Sequence, residues 1–109
     1  MVIKESIQFT EDDLTQLLVK RFAEYADRES TVEDEIHDFI ENQTMFEHNV
    51  LDLMVKAPKA VYEAAFAYEE SNGVSIPAGV TSFVSHAIQY IIETHYSEFV
   101  QAFNNDYDI

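Results

Sequence analysis

The chain of 109 residues contains no cysteine and no tryptophan, and only two glycines and two prolines. Without cysteine it has no disulfide, no thiolate metal ligand and no cysteine nucleophile. Because Gly73 and Gly79 are the only glycines, a phosphate-binding glycine-rich loop and a nucleophile elbow are also excluded. We therefore expect a protein that is not an enzyme and that binds no cofactor.

Basic residues are also scarce, with six Lys and Arg against 21 Asp and Glu and a net charge of -15. Direct binding to nucleic acid or to an anionic membrane needs a basic patch, and these six residues occur singly or in pairs. No apolar run of about 18 residues occurs, and the N-terminal sequence has no signal-peptide pattern. We expect a cytoplasmic protein, located in the host cytoplasm if it is viral.

The remaining composition predicts one folded, all-α domain over residues 1–109. Hydrophobic residues make up 47% of the chain, which is enough to fold despite the charge. Apolar spacings of three and four predict a compact bundle of about five helices, at about 11–28, from Ser30 into the low 40s, at 45–56, at 58–71 and at 81–104. The last of these is a long amphipathic helix and the expected centre of the packing.

Helix starts and ends are indicated by local signals. Thr10, Ser30 and Thr44 each precede an acid by three residues, which is typical of a capping box. Pro58 suits a first turn, and Gly73 suits the left-handed residue that ends a helix. Residues 1–9 show no clear period, so they are either a short arm that packs on the core or an edge strand. Residues 105–109 are expected to fray.

Negative charge is concentrated between residues 24 and 52, where ten carboxylates accompany a single cation, Arg28. The ten are Glu24, Asp27, Glu29, Glu33, Asp34, Glu35, Asp38, Glu41, Glu47 and Asp52. A charged, solvated helix face that keeps the protein soluble normally mixes both signs. Because like charges at this density repel one another and destabilise the compact state, we interpret them as a partner-binding surface.

The spacing of these acids suggests what the partner binds. Acids three or four residues apart on a helix lie about 4.5 to 6 Å apart along its axis, and duplex DNA carries a phosphate about every 3.4 Å on each strand. Asp34, Asp38 and Glu41 have this helical spacing. The stretch therefore predicts a DNA mimic that enters the basic cleft of a DNA-binding protein.

Two other interpretations remain open. Glu33, His37 and Glu41 share a helix face and form a candidate metal site, although no matching Glu-x-x-His motif occurs elsewhere, and His48, His86 and His95 have no partner pattern. The protein is alternatively an immunity, antitoxin-like or regulatory module that docks through an apolar helix face, its charge affecting only the association rate. Tyr62, Phe66 and Tyr68 on the Ala-rich helix mark a candidate surface for self-association.

Two segments carry a family resemblance: EDEIHDFIENQTMFEHNVLDLMV at 33–55 and, more weakly, SHAIQYIIETHYSEFVQAF at 85–103. About half of the chain thus resembles the Ocr family of phage anti-restriction proteins. The resemblance implies an all-helical homodimer that mimics bent B-form DNA and blocks Type I restriction-modification enzymes. The C-terminal NNDYDI carries only two acids, unlike that family's strongly acidic C-terminus, and Lys20-Arg21 has no counterpart. These departures leave other targets open: a CRISPR effector, a DNA-repair nuclease, a polymerase or another DNA-binding protein of the host.

Overall fold

The structure is a computed structural model that describes residues 9–104, which form six α-helices and contain no β-strand. The helices are α1 (Glu11–Tyr25), α2 (Val32–Met45), α3 (Glu47–Lys56), α4 (Pro58–Asn72), α5 (Val80–Thr94) and α6 (Tyr96–Asn104). The all-α prediction is confirmed for these residues. The predictions for the arm before Phe9 and for the tail at 105–109 lie outside the described residues.

Helix α5 lies at the centre of the bundle and contacts each of the other five helices. Its inward face consists of apolar residues at helical spacing: Val84, Ala87, Ile88, Ile91 and Ile92. Helix α4 packs most extensively against it, because α4 presents the buried small residues Ala60, Ala64 and Ala65, and small side chains let two helix axes approach closely. The expected central packing element is therefore found in the 80–94 part of the chain.

Buried phenylalanines join α1, α2 and α6. The Phe22 ring lies 5.5 Å from that of Phe39 and 5.7 Å from that of Phe99, measured between centroids, and all three side chains are fully buried. Phe103 stacks on the same ring at 6.3 Å. Phe22, Phe39 and Phe99 belong to the core, and the half-buried Phe103 packs against it. Their packing fixes the C-terminal end of α1 against α2, which carries five of the ten carboxylates of the acidic stretch.

The prediction of one long helix over 81–104 is wrong, and the bundle has six helices rather than five. Helix α5 ends at Thr94, and His95 has φ −119° and ψ 33°, outside the helical region. The break lets α6 turn onto α1, where Phe99 packs against Phe22 and Gln16 Nε2 donates to Glu98 Oε1 at 2.9 Å. The apolar spacing continues in phase across the break, so the periodicity did not reveal it.

The local signals for helix ends were only partly correct. The Thr10–Asp13 capping box is present, Pro58 lies in the first turn of α4, and Gly73 follows that helix with φ 63°. The other two predicted capping boxes are wrong. Thr31, not Ser30, caps α2 by accepting from the Asp34 N–H at 3.1 Å. Thr44 lies inside α2 and donates to the Ile40 carbonyl at 2.9 Å, while α3 has no side-chain cap.

Candidate functional site

The ten predicted carboxylates differ in their exposure. Eight are exposed: Glu24, Asp27, Glu29, Glu33, Asp34, Asp38, Glu41 and Glu47. Glu35 is buried, and Asp52 is half-buried. We call the eight exposed carboxylates the acidic face. They lie on the end of α1, the following turn, α2 and the first residue of α3.

Part of this charge has a local structural role. Glu33, Asp34 and Glu35 occupy the first turn of α2, where the helix dipole stabilises acidic side chains. In the preceding turn, the Asp27 carboxylate accepts a hydrogen bond from the Glu29 N–H at 2.9 Å. The outer positions Asp38 and Glu41, in contrast, lie beyond the first turn, so the helix dipole does not account for them.

Glu35 is a structural residue and not part of the acidic face. Its side chain is 7% exposed, and its Oε1 accepts a hydrogen bond from the Asp27 N–H at 2.9 Å. This bond ties the α1–α2 turn to the body of α2. Glu35 therefore differs from the other predicted contact residues, because its carboxylate is buried and is already bonded to the backbone of this chain.

Asp52 is held by two cations from outside the 24–52 stretch. Arg21 pairs with its carboxylate from α1, and Lys56 Nζ lies 3.2 Å from its Oδ2. Partial burial by itself would raise the pKa of Asp52, but the hydrogen bonds from Arg21 and Lys56 lower it below its ordinary value. Since Arg21 also donates to Gln43 Oε1 at 2.9 Å, this cation joins α1, α2 and α3. Counting the charges between residues 24 and 52 did not reveal this pairing, because Arg21 precedes that stretch.

Arg28, the cation within the stretch, is directed at helix ends. Its guanidinium donates to the carbonyls of Ala23 in the last turn of α1, of Ala26 just after that helix, and of Ala102 and Phe103 in α6, at 2.6 to 3.1 Å. The guanidinium carbon also lies 5.7 Å from the Phe103 ring centroid. Backbone carbonyls at a helix C-terminus carry the negative end of its dipole, so a cation stabilises both ends at once.

A groove of about 170 Å³ lies where the acidic face meets exposed apolar side chains. Its lining consists of Tyr25, Asp38, Glu41, Asn42, Met45 and Phe46. Tyr25 is 40% exposed, Phe46 45% and Met45 68%. Burial and the negative charges of Asp38, Glu35 and Glu41 raise the pKa of Tyr25. The phenol ring therefore lies in a strongly negative potential.

The candidate metal site is not assembled. His37 Nε2 lies 3.8 Å from Glu41 Oε2, and both side chains are exposed. Within residues 9–104, Glu33, His37 and Glu41 do not form a group able to hold a metal ion, and neither does any other set of three or more His, Asp and Glu. Spacing on one helix face gave these residues a common direction, but their side chains do not converge on one point.

His95 has two carboxylate partners that were not predicted from the sequence. His95, at the break between α5 and α6, has Nδ1 3.0 Å from Glu98 Oε2 and Nε2 3.6 Å from Glu11 Oε2. Hydrogen bonds from Gln16 and His95 lower the pKa of Glu98. The i, i+3 relation between His95 and Glu98 was a usable signal, whereas the contact with Glu11 depends on tertiary packing. The contact with Glu11 connects the α5–α6 junction to α1, and the contact with Glu98 lies within the first turn of α6.

The candidate self-association residues divide between two locations. Phe66 is 53% exposed and lies beside Tyr62 and Phe83, with its centroid 5.8 Å from that of Phe83. Tyr68 is half-buried instead, with its ring 5.0 Å from His86. Two of the three predicted residues thus share one aromatic patch on α4 and α5.

Comparison with known proteins gives no significant match to a family model, to a curated protein or to a solved structure. The resemblance to the Ocr family thus stays a prediction from the residue pattern. Among the helices that the structure describes, none combines the length and the hydropathy needed to cross a bilayer.

Proposed function

We propose that this protein is an acidic DNA mimic that occupies the DNA-binding cleft of a basic host protein, such as a Type I restriction-modification enzyme, a CRISPR effector or a repair enzyme. The observation that carries the proposal is the acidic face, whose eight carboxylates are exposed and cluster on and around one helix. The proposed target lies in the cytoplasm of the host, and that is where the protein acts.

The placement of the cations supports this proposal. Arg21 and Lys56 are engaged with Asp52, and Lys59 lies 3.9 Å from Glu63 on α4. These three basic side chains are therefore paired with acids other than Asp38 and Glu41 on α2. A surface of one sign attracts oppositely charged partners over distances of about a Debye length, roughly 8 Å at physiological salt.

The dimensions of α2 also support the proposal. Glu33 and Glu41 are eight residues apart, which corresponds to about 12 Å of helix axis, the length of three to four DNA base pairs. Between them, Asp34 and Asp38 are separated by about 6 Å along the axis. Such an edge has the charge density and approximate spacing of one DNA strand, and the flanking acids of α1 and the turn extend it.

The test is a binding experiment with a matched charge control. The immobilised protein is exposed to a bacterial lysate and eluted with a salt gradient, with duplex DNA as competitor. We expect capture of a DNA-binding enzyme that duplex DNA displaces. The double substitution Asp34→Lys with Asp38→Lys should abolish capture while helicity by circular dichroism stays unchanged. Glu70→Lys with Glu93→Lys makes the same change in net charge at exposed positions of α4 and α5 and should retain it.

A captured protein that neither handles DNA nor is displaced by it would contradict the proposal. So would retention of binding by the variant with Asp34 and Asp38 reversed. Equal loss in both double variants would mean that only net charge matters, and the acidic face would then have no specific role.

A specific observation favours the alternative, an immunity, antitoxin-like or regulatory module. Leu51 and Val55 are one turn apart on the outer side of α3 and are both exposed, Val55 by 80%. In this case Leu51→Ser with Val55→Ser should abolish capture, and raising salt to about 0.5 M should leave most of the affinity in place. The DNA-mimic proposal predicts instead that the double serine variant is still captured and that about 0.5 M salt removes most of the affinity.

We also propose that the protein is a homodimer that associates through the aromatic patch of Tyr62, Phe66 and Phe83. Exposed aromatic rings of this kind are enriched at interfaces. Multi-angle light scattering should give twice the chain mass, and Phe66→Gln should give the monomer mass. Val55→Gln, at an apolar position on α3 that is more exposed than Phe66, serves as the control and should not change the mass.

A further inference from the structure

The groove on α2 combines two kinds of surface, carboxylates and exposed apolar side chains. Asp38, Glu41, Asn42 and Met45 follow one side of α2 at spacings of three and four, so they form one wall. Tyr25 at the end of α1 and Phe46 after α2 complete the lining. The groove thus has carboxylates at one end and exposed apolar side chains at the other.

The walls of this groove are fixed by contacts from behind. The Tyr25 ring packs against the buried Phe39 ring at 5.8 Å. Gln43 Nε2 donates to Asn42 Oδ1 at 3.0 Å, and Arg21 holds Gln43 in turn. A site whose side chains are already held binds its ligand with less loss of conformational entropy.

The chemistry of the lining selects one type of ligand. Two carboxylates require a cation with several N–H donors, and an exposed phenol ring offers a face on which a flat cation can stack. Met45 and Phe46 provide apolar contact for a methylene stem. The guanidinium of arginine meets all three conditions, whereas the ammonium of lysine is a compact, strongly hydrated charge that stacks less well.

We propose that this groove receives one arginine side chain of the basic partner, with the guanidinium at Asp38 and Glu41 and the stem over Met45 and Phe46. The inference rests on the proposed function, because DNA-binding clefts are lined with arginines that contact phosphates and bases. It adds to that function a defined anchor point. The steering field of the acidic face brings the partner near, and the groove fixes its register.

The raised pKa of Tyr25 agrees with this assignment. Apart from burial, its causes are the charges of Asp38, Glu35 and Glu41, so the phenol faces concentrated negative charge while it keeps its proton at neutral pH. A neutral ring in a negative potential is a suitable stacking partner for a cation.

The probe for this site is the tripeptide acetyl-Gly-Arg-Gly-amide, compared with its lysine analogue, in NMR titrations of the full ¹⁵N-labelled chain at about 0.15 M salt. We expect the arginine peptide to shift the amides of residues 38–46 and the ring signals of Tyr25. Asp38→Asn with Glu41→Gln should weaken binding at least about tenfold, since it removes two charge-assisted hydrogen-bond acceptors.

A matched variant separates the groove from general charge. Glu70→Gln with Glu93→Gln removes the same charge from exposed positions of α4 and α5, outside the acidic face, and should weaken binding less than about twofold. Tyr25→Leu keeps the carboxylates and should reduce arginine binding to the level of the lysine peptide. Circular dichroism of each variant checks that the fold is retained.

Three results would overturn the inference: no shifts with the arginine peptide, equal binding of the two peptides, or equal weakening by the two double variants. Failure here is distinguishable from failure of the proposed function. If the peptide does not bind but a DNA-binding enzyme is still captured and displaced by DNA, the mimic stands without this anchor. If the peptide binds and no such enzyme is captured, the groove stands and the mimic does not.

Discussion

Replacing Glu35 by alanine should destabilise the fold, whereas replacing Asp38 by asparagine should not, although both acids belong to the same helix. Glu35 is buried and accepts the Asp27 N–H, and Asp38 is exposed. Removing the carboxylate leaves that N–H without its acceptor, and hydrogen bonds to charged groups contribute about 1.5 to 3 kcal/mol. Surface substitutions usually change stability by less than about 0.5 kcal/mol.

An opposing effect has to be separated in this measurement. Glu35 lies among other carboxylates, so its removal also relieves repulsion and returns part of the lost stability. At about 1 M salt the Debye length falls to about 3 Å, and repulsion between exposed charges is screened. The full cost of Glu35→Ala should therefore appear at high salt, and a smaller cost at low salt.

The assay is urea unfolding followed by circular dichroism at both salt concentrations. With a slope of about 2 kcal/mol per molar urea, a loss of 2 kcal/mol lowers the midpoint by about 1 M. Glu35→Gln retains an oxygen acceptor and should recover part of this loss. Hydrogen exchange gives a direct readout, because protection of the Asp27 amide should fall in Glu35→Ala alone. If Glu35→Ala and Asp38→Asn shift the midpoint equally, the assignment of Glu35 to structure is refuted.

Three further predictions follow from the contacts of α1. Arg21→Met should raise the pKa of Asp52 toward its ordinary value, because it removes the hydrogen bond that lowers it, and NMR titration of the carboxyl group measures this. Glu98→Gln should lower the stability of the fold at neutral pH, and the difference from the wild type should disappear as the pH falls. The pKa of Glu98 is lower in the folded state than its ordinary value of 4.5, so the carboxylate stabilises the fold above pH 4.5, and this stabilisation is lost as the pH falls through the folded-state pKa. Thr10→Ala should lower stability by about 1 kcal/mol in urea unfolding, because it removes the cap of α1.

Each of these three predictions has its own contradicting outcome. An unchanged pKa of Asp52 in Arg21→Met would mean that Lys56 alone sets it, for which Lys56→Met is the control. A stability difference in Glu98→Gln that persists at pH 2 would show that the side chain acts through packing and not through its charge. For Thr10→Ala, Thr94→Ala is the control: the Thr94 hydroxyl bonds to a carbonyl within its own helix, so it should cost less.

The amino-acid sequence by itself determined the all-α class, the apolar faces of the helices and the concentration of acids between residues 24 and 52. These features are local, because a helix face is set by spacings of three and four and net charge is set by composition. The Thr10 cap, Pro58 and Gly73 were also predictable, since each acts on its own turn.

Tertiary structure decided which acids remain available to a partner. Glu35 and Asp52 look like their neighbours in sequence, but Glu35 is buried against the α1–α2 turn and Asp52 meets Arg21, 31 positions away. Tertiary packing also divided the predicted long helix at His95, because Phe99 gains contact with Phe22 when α6 turns onto α1. The groove beside Tyr25 likewise exists only where α1 ends against α2. Periodicity reports which side of a helix is apolar; which residues meet across helices depends on packing between segments distant in the chain.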